Sequence, residues 1–321
     1  MALQREPSHG DGMNREERRR APRVITPAGT SASETEPLLR FPLSGAELRT
    51  VVKAALDEDR AFADITTAAT VLSNRRARAT LVARGEGVIA GAPLALEAFR
   101  LLDPRSTIRV DVEDGGAVSA GQAVFFVSGH ARGMLSAERV ALNFMQRLSG
   151  IATLTRRFVD AVRGTGARIL DTRKTTPGWR KLEKYAVRAG GGMNHRMDLA
   201  TSVLIKDNHL ASVDGDVAIA IKRSRELAPA GAKIEIECDS PAQVDAALEA
   251  GADIILLDNM APEKIRECFR RNKGRAILEA SGGVNINNVR EIAETGVDWI
   301  SIGALTHSAP ALNLALDFTS A

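Results

Sequence analysis

Six short, mostly apolar runs recur through the second half of the sequence, each ending in polar residues: RILDTR, SVLIKD, KIEIEC, DIILLD, AILEAS and WISIGA. Strands this continuous in hydrophobicity are buried on both faces, and helical segments between them mean that the neighbours run parallel. The intervening PAQVDAALEAGA, PEKIRECFRR and INNVREIAETG read as short helices, two of them opened by a first-turn proline where no amide is needed. Six such units within about 140 residues favour a barrel over an open sheet, and periodicity alone leaves closure open.

Chemistry in parallel α/β architectures lies at the carboxyl ends of the strands, where strand-to-helix loops converge. The residues at those ends are Arg173 and Lys174, Lys206, Glu237, Asp258, Ser281 and Ser301. Around them, residues 171–210 hold eight Lys and Arg against four Asp and Glu, a surplus of four that exceeds the +3 net charge of the whole chain. Arg173, Lys174, His195, Arg196 and Lys206 supply forks and point charges suited to carboxylates and phosphates, the alternative being surface ion pairs. Glu237 and Asp258 suit a divalent cation or ribose hydroxyls, or else partner the cations across the mouth. Glycines follow the last two strands, in Ser281-Gly282-Gly283 and Ile302-Gly303-Ala304, where barrels often bind a phosphate. Gly190, Gly191 and Gly192 lack phosphate-loop spacing and read as a mobile or tightly turned loop delivering Asn194, His195 and Arg196. Lys181, Lys184 and Arg188 read as the solvated face of a helix. His209 caps a turn, and His307 reaches a phosphate or packs. Neither His195 nor His209 has a metal partner at recognisable spacing, so no zinc site is expected; Cys238 and Cys268 are read as buried apolar residues.

Residues 1–42 mix Pro, Gly, Ser and charge without an apolar period and are expected to be a disordered extension. Residues 43–147 are expected to form an α+β domain, opened by a helix with Leu48, Val51, Val52 and Leu56 on one face and Ser44 as cap. Residues 148–308 hold the repeating units, and 309–321 are expected to be a C-terminal helix. No run approaches eighteen apolar residues and no signal-type apolar core opens the chain, so no membrane partner is expected and the location expected is cytoplasmic. At 4% aromatic and +3 net charge, nucleic acid is not an expected partner either.

DTRKTTPGWRKLEKYAVRAGGGMNHR followed by LIKDNH closely resembles the signature of the quinolinate phosphoribosyltransferase (carboxylating nicotinate-nucleotide pyrophosphorylase) family. DITT, SAERVALNFMQRLSGIAT, EIECDS, IILLDN, EASGG and IGALTHS look like family segments in family order, so the resemblance covers roughly residues 45–318. It implies an incomplete, TIM-like α/β barrel with an N-terminal α+β sandwich-like domain, paired head to tail in a homodimer. It implies a reaction of quinolinate with Mg²⁺-bound phosphoribosyl pyrophosphate (PRPP) giving nicotinate mononucleotide, CO₂ and pyrophosphate in NAD biosynthesis. Carried over by position, Thr172, Arg173, Lys174, His195, Arg196 and Lys206 would bind the quinolinate carboxylates and nearby phosphates, and Arg139 would come from the second subunit. Glu237 and Asp258 would face the ribose and its metal, with Lys174 and Lys206 completing the catalytic set. Ser281, Gly282, Gly283, Ile302, Gly303 and Ala304 would form the 5′-phosphate loops, with His307 also among the substrate-binding residues. The rivals are a nicotinate-using phosphoribosyltransferase, a molybdenum-transport-associated relative and a catalytically silent anion-binding barrel.

Overall fold

The computed structural model describes residues 39–320. The disordered extension expected over residues 1–42 lies outside the described residues as far as residue 38. Leu39 and Phe41, assigned to it from sequence, already pack on the core, the Phe41 ring meeting Tyr185 edge-on at 5.1 Å.

Helix α1 (Gly45–Glu58) starts with a reciprocal cap: the Glu47 amide donates to the Ser44 hydroxyl and the Ser44 amide to the Glu47 carboxylate. Two amides that a first turn leaves over are thereby satisfied. A 3₁₀ turn (Ala61–Ala63) leads to α2 (Ile65–Thr70), then β1 (Arg76–Ala83), β2 (Gly87–Val88), α3 (Ala92–Leu102), β3 (Thr107–Val110), β4 (Ala117–Val118) and β5 (Ala123–His130). The 31-residue helix α4 (Ala131–Ala161) follows. The boundary expected between 147 and 148 falls inside it, and the helix serves both halves. Its Ser149 hydroxyl accepts from the Ala90 amide at 3.0 Å, while Arg156 Nε donates to the Gly190 carbonyl at 3.0 Å.

The repeating units form β6 (Arg168–Leu170), α5 (Arg180–Ala189), β7 (Val203–Ile205), α6 (Asp207–Ala211), α7 (Val217–Leu227), β8 (Ile234–Cys238) and α8 (Pro241–Glu249). They continue as β9 (Ile254–Asp258), α9 (Pro262–Asn272), β10 (Ile277–Ser281), α10 (Val289–Ala293), β11 (Trp299–Ser301) and α11 (Ala304–His307). All six expected strands join one parallel sheet in the order β6-β11-β10-β9-β8-β7. β6 and β7 remain its edges, so the barrel is incomplete; a lone parallel bridge from Leu170 to Met193 extends the β6 side.

The C-terminal helix expected over 309–321 does not form: Leu314–Ser320 is strand β12. Leu314, Leu316 and Phe318 alternate with Ala315, Asp317 and Thr319, a period of two, and β12 pairs antiparallel with the open side of β1 from Leu314↔Ala83 to Ser320↔Ala77. It completes the four-stranded sheet β12-β1-β5-β3 of the N-terminal domain, with β2 and β4 as a separate ribbon.

Candidate active site

Parallel register puts Ser301, Ser281 and Asp258 level with one another at the strand ends. Glu237 lies one step lower, paired with Leu256, and Ile205 pairs with Ile236, which brings Lys206 beside Glu237. Paired residues of a parallel sheet share a face, and successive residues along a strand change face. Lys206, Glu235, Glu237, Asp258, Glu279, Ser281 and Ser301 therefore share the interior side, opposite buried Ile236, Ile255, Leu257, Leu278 and Ile300. Lys206 Nζ donates to Glu237 Oε2 at 2.9 Å, the partnership with a cation weighed above as one alternative for this acid. The Asp258 carboxylate accepts from Asn259 Nδ2 at 2.8 Å.

The cationic arm has two strands of chain, tied by one buried acid. Asp171 Oδ1 accepts from the Lys184 ammonium and from the His195 amide at 2.9 Å, and its Oδ2 accepts from Asn194 Nδ2 at 2.6 Å. Lys184 Nζ also donates to the His195 carbonyl at 2.9 Å. Lys184 is thus no solvated residue: its side chain is 1% exposed, because Asp171 at the end of β6 and the returning chain at 194–195 cover the middle of α5. Burial raises Asp171 and lowers Lys184, in each case against their mutual attraction. Lys181 and Arg188, at the ends of α5, are exposed, and bond to Glu47 and to the Arg40 carbonyl at 2.8 and 3.0 Å.

Glu183, also buried, accepts from Arg147 at 2.8 Å and from the Thr176 amide and hydroxyl at 3.0 and 2.8 Å. Arg147 in turn donates to the carbonyls of Thr306 and, at 3.2 Å, Ala309. The Thr306 hydroxyl closes the circuit on the Lys174 carbonyl at 2.8 Å, and the Thr172 hydroxyl accepts from the Lys174 amide at 3.0 Å. The loops that carry Arg173 and Lys174 and that follow β11 are therefore one braced unit.

Of the two options for the triple glycine, the tight turn is the one that forms. Gly191 has φ +90°, a Cβ on Gly190 would run into Ala152 and Thr155 of α4, and one on Gly192 into Thr155 and Val187. The Gly192 amide donates to the Val187 carbonyl at 3.0 Å, and the Met193 amide to Ile169 at 2.8 Å, returning the chain alongside β6.

His195 is not turned toward the mouth as the carboxylate donor expected of it. Its Nδ1 accepts from the Arg196 amide at 2.7 Å, and its Nε2 lies 3.2 Å from Glu235 and 3.5 Å from Glu279. A side chain delivered from the β6 edge thus reaches the interior face of β8 and β10. These three residues could together hold a metal, a grouping the chain spacing of the histidines does not disclose. Burial alone would lower the His195 pKa, but hydrogen bonding to Glu235 and the negative charges of both glutamates outweigh it and bring it up to about 10; burial raises Glu235. Because Nδ1 accepts from the Arg196 amide, the ring proton is on Nε2, facing the two carboxylates.

Arg196 Nη1 donates to the Ser202 carbonyl at 3.1 Å, and burial, then the charge of Arg173, hold Arg196 below the usual guanidinium range. Arg173 Nε is buried without a hydrogen-bond partner among the described residues. Two guanidinium groups crowded at strand ends, one with an unused buried donor, are arranged for an anion.

The glycine loops divide. Ser281 ends β10, and Gly282 and Gly283 follow with φ +86° and +62°; a Cβ on Gly282 would run into the Asn259 side chain. At Gly303 a Cβ would stand 2.9 Å from Lys174 Cδ and 3.2 Å from His307 Nε2, so those two side chains converge over it as Ala304 opens α11. Ile302 offers little to a phosphate: its side chain is buried and its amide already donates to the Leu170 carbonyl at 2.9 Å. His307 Nδ1 lies 2.6 Å from Ser308 Oγ, and His209 Nδ1 accepts from the Lys206 amide at 2.9 Å. Arg139 sits on the exposed side of α4 in a cleft of about 410 Å³ with Arg60, Asp64, Ile65, Leu135 and Ser136.

Glu235 and Glu279 escaped the sequence reading, which looked only at strand ends. The signal was the alternation: Glu235 precedes Glu237, and Glu279 precedes Ser281, by two residues, so each lies below a mouth residue on the same face.

Residues 151–317 match the family model described as Quinolinate phosphoribosyl transferase, C-terminal domain, and residues 64–149 match that of the N-terminal domain. The chain is 46% identical to the nicotinate-nucleotide pyrophosphorylase [carboxylating] of Mycobacterium leprae, over 84% of this chain and 96% of that one. It is 41% identical to the probable enzyme of the same name in Bacillus subtilis, over 82% and 90%. The fold is similar to the crystal structure of NadC from Streptococcus pyogenes, with TM-score 0.83, 38% identity and 87% and 99% of the two chains covered. Matched along both halves and in strand order, with relatives covered almost end to end, the chain belongs to the quinolinate phosphoribosyltransferase family.

Proposed function

We propose that the chain transfers the phosphoribosyl group of PRPP to the ring nitrogen of quinolinate, giving nicotinate mononucleotide, CO₂ and pyrophosphate. The observation that carries this beyond family membership is the crowding of Arg173 and Arg196, with an Arg173 Nε that has no partner among the described residues. A pyridine dicarboxylate supplies the negative charge that such a group lacks.

Arg173, Arg196 and Lys206 orient the two carboxylates so that the ring nitrogen faces C1 of the ribosyl group. Lys174, held over Gly303, meets the phosphates, with the Gly282-Gly283 backbone on the 5′-phosphate side. As the bond to pyrophosphate loosens, positive charge grows on the ribosyl ring, and Glu237 and Asp258 stabilise it; Lys206 passes from Glu237 to the substrate. The oxygen donors of these two acids fit a hard cation such as Mg²⁺, brought in with PRPP, which would neutralise the departing diphosphate. Once the nitrogen is quaternised, the bond to the adjacent carboxylate breaks, its electron pair drawn toward the cationic ring, and that carbon takes up a proton as CO₂ leaves.

A homodimer in which Arg139 of a second copy completes the quinolinate site is part of this reading, as is a cytoplasmic location. Among the described residues no helix is long and apolar enough to cross a membrane. The test is purified protein with PRPP, Mg²⁺ and either quinolinate or nicotinate, following nicotinate mononucleotide and CO₂. Turnover with quinolinate and release of one CO₂ per product is the expected result; turnover with nicotinate alone would overturn the reading.

A further inference from the structure

We propose that Glu235 and Glu279 are positioning residues for the quinolinate site: from below the mouth they fix the His195 ring, whose Nδ1 holds the Arg196 amide and so sets where that guanidinium is presented. The inference rests on the quinolinate reading and adds to it two residues that do not touch substrate. Both lie on the interior face one step below the strand ends, with 3% and 0% of their side chains exposed. A barrel interior at that depth is ordinarily filled by branched apolar side chains. Here two acids stand in it, and both Glu279 oxygens lack any hydrogen bond among the described residues. An acid buried on those terms lowers stability unless another group requires it.

The group that requires it is His195. Its Nε2 is within 3.3 Å of both Glu235 oxygens and 3.5 Å from Glu279, so the ring is held from two strands at once and cannot rotate to the mouth without leaving both acids unpaired. The ring so held places Nδ1 2.7 Å from the Arg196 amide, and the side chain of that residue is fixed at its other end by the Ser202 carbonyl at 3.1 Å. Charge acts in the same sense: Glu235 attracts Arg196 while Arg173 repels it. Without the acids beneath them, the two guanidinium groups would separate before a dicarboxylate arrived. The loss should therefore fall on quinolinate and spare PRPP, whose partners are on the far loops.

The experiment is steady-state kinetics of full-length Glu279→Gln and Glu235→Gln with each substrate varied in turn, alongside thermal unfolding. Expected is a quinolinate KM raised about tenfold or more, a PRPP KM within about twofold of wild type and a partial return in Glu279→Asp, with the melting temperature of Glu279→Gln unchanged or higher. Should that variant fail to fold, Glu235→Gln carries the same comparison. Unchanged KM for both substrates, or equal losses for both, would overturn the inference. So would a stoichiometric divalent metal in the wild-type protein, absent from Glu279→Gln, since the three groups would then be a metal site. Wild-type protein inactive on quinolinate would remove this inference together with the function beneath it; an active wild type with indifferent variants would remove this inference alone.

Discussion

The Lys184 ammonium and the Asp171 carboxylate meet inside the barrel wall with 1% and 0% of their side chains exposed. The same carboxylate takes the His195 amide and the Asn194 side chain, so one acid joins helix α5, strand β6 and the chain that leaves the glycine turn. Both arms of the cationic site hang from this pair. The residue that looked most ordinary in the basic block is the one at its structural centre.

Lys184→Met leaves Asp171 buried without its cation, which costs about 3–5 kcal/mol where such pairs are broken from one side. Urea denaturation should show that loss, and Lys184→Met with Asp171→Leu should recover part of it. A single variant within about 1 kcal/mol of wild type would mean that the pair is not holding the arms.

Arg147 forks between Glu183 and the carbonyls of Thr306 and Ala309, and a lysine cannot reproduce a planar fork. Arg147→Lys should lose about 1–3 kcal/mol, the usual loss when buried partners go unsatisfied. It should also raise the KM for PRPP more than that for quinolinate, because the Lys174 and Gly303 loops lose their common brace. Comparing the two KM values decides it: a rise confined to quinolinate contradicts the brace.

Asp64 caps α2, its carboxylate accepting from the Thr67 amide at 3.0 Å and the Ser136 hydroxyl at 2.9 Å. The Thr67 side chain and amide, then Ser136, hold its pKa below the ordinary 3.8. A carboxylate depressed by folding adds stability above its unfolded pKa and loses it as pH falls through the lower folded value. Asp64→Ala should therefore cost about 1 kcal/mol at neutral pH, with the gap from wild type closing below pH 3.8. Melting curves across that range measure it, and a gap that widens in acid would refute the assignment.

If the site is shared between two copies, Arg139→Ala and Lys206→Ala proteins, each inactive, should regain activity on mixing. Random exchange leaves half the molecules as mixed dimers with one intact site of two, so about one quarter of wild-type activity is the expected ceiling. Mass spectrometry would confirm that subunits exchanged. Exchange without any recovery would place each residue in a site of its own copy.

Much of the frame was legible because buried parallel strands leave a plain mark: KIEIEC, DIILLD and AILEAS became β8, β9 and β10. Their ends located Glu237, Asp258 and Ser281 for the same reason. What could not be read was depth. Lys181, Lys184 and Arg188 share a helical face, and only the tertiary arrangement tells the middle one from the other two. The direction of the His195 ring was likewise hidden, since it depends on acids 40 residues and more away in sequence. LALDFTS had the period of a strand, but its partner is β1, so a reading confined to neighbouring segments had nothing to pair it with.

That late strand has a consequence for how the chain is made. Arg84 and Asp317, ion-paired across the junction, are 233 residues apart. During synthesis the first sheet must wait, one edge bare, until nearly all of the barrel has left the ribosome. Closing so distant a contact is slow, and an open strand edge invites association with other chains in the meantime. Separating the two family-defined halves would make that waiting state permanent, so a first half expressed alone should depend on chaperones or aggregate, however well its own helices are capped.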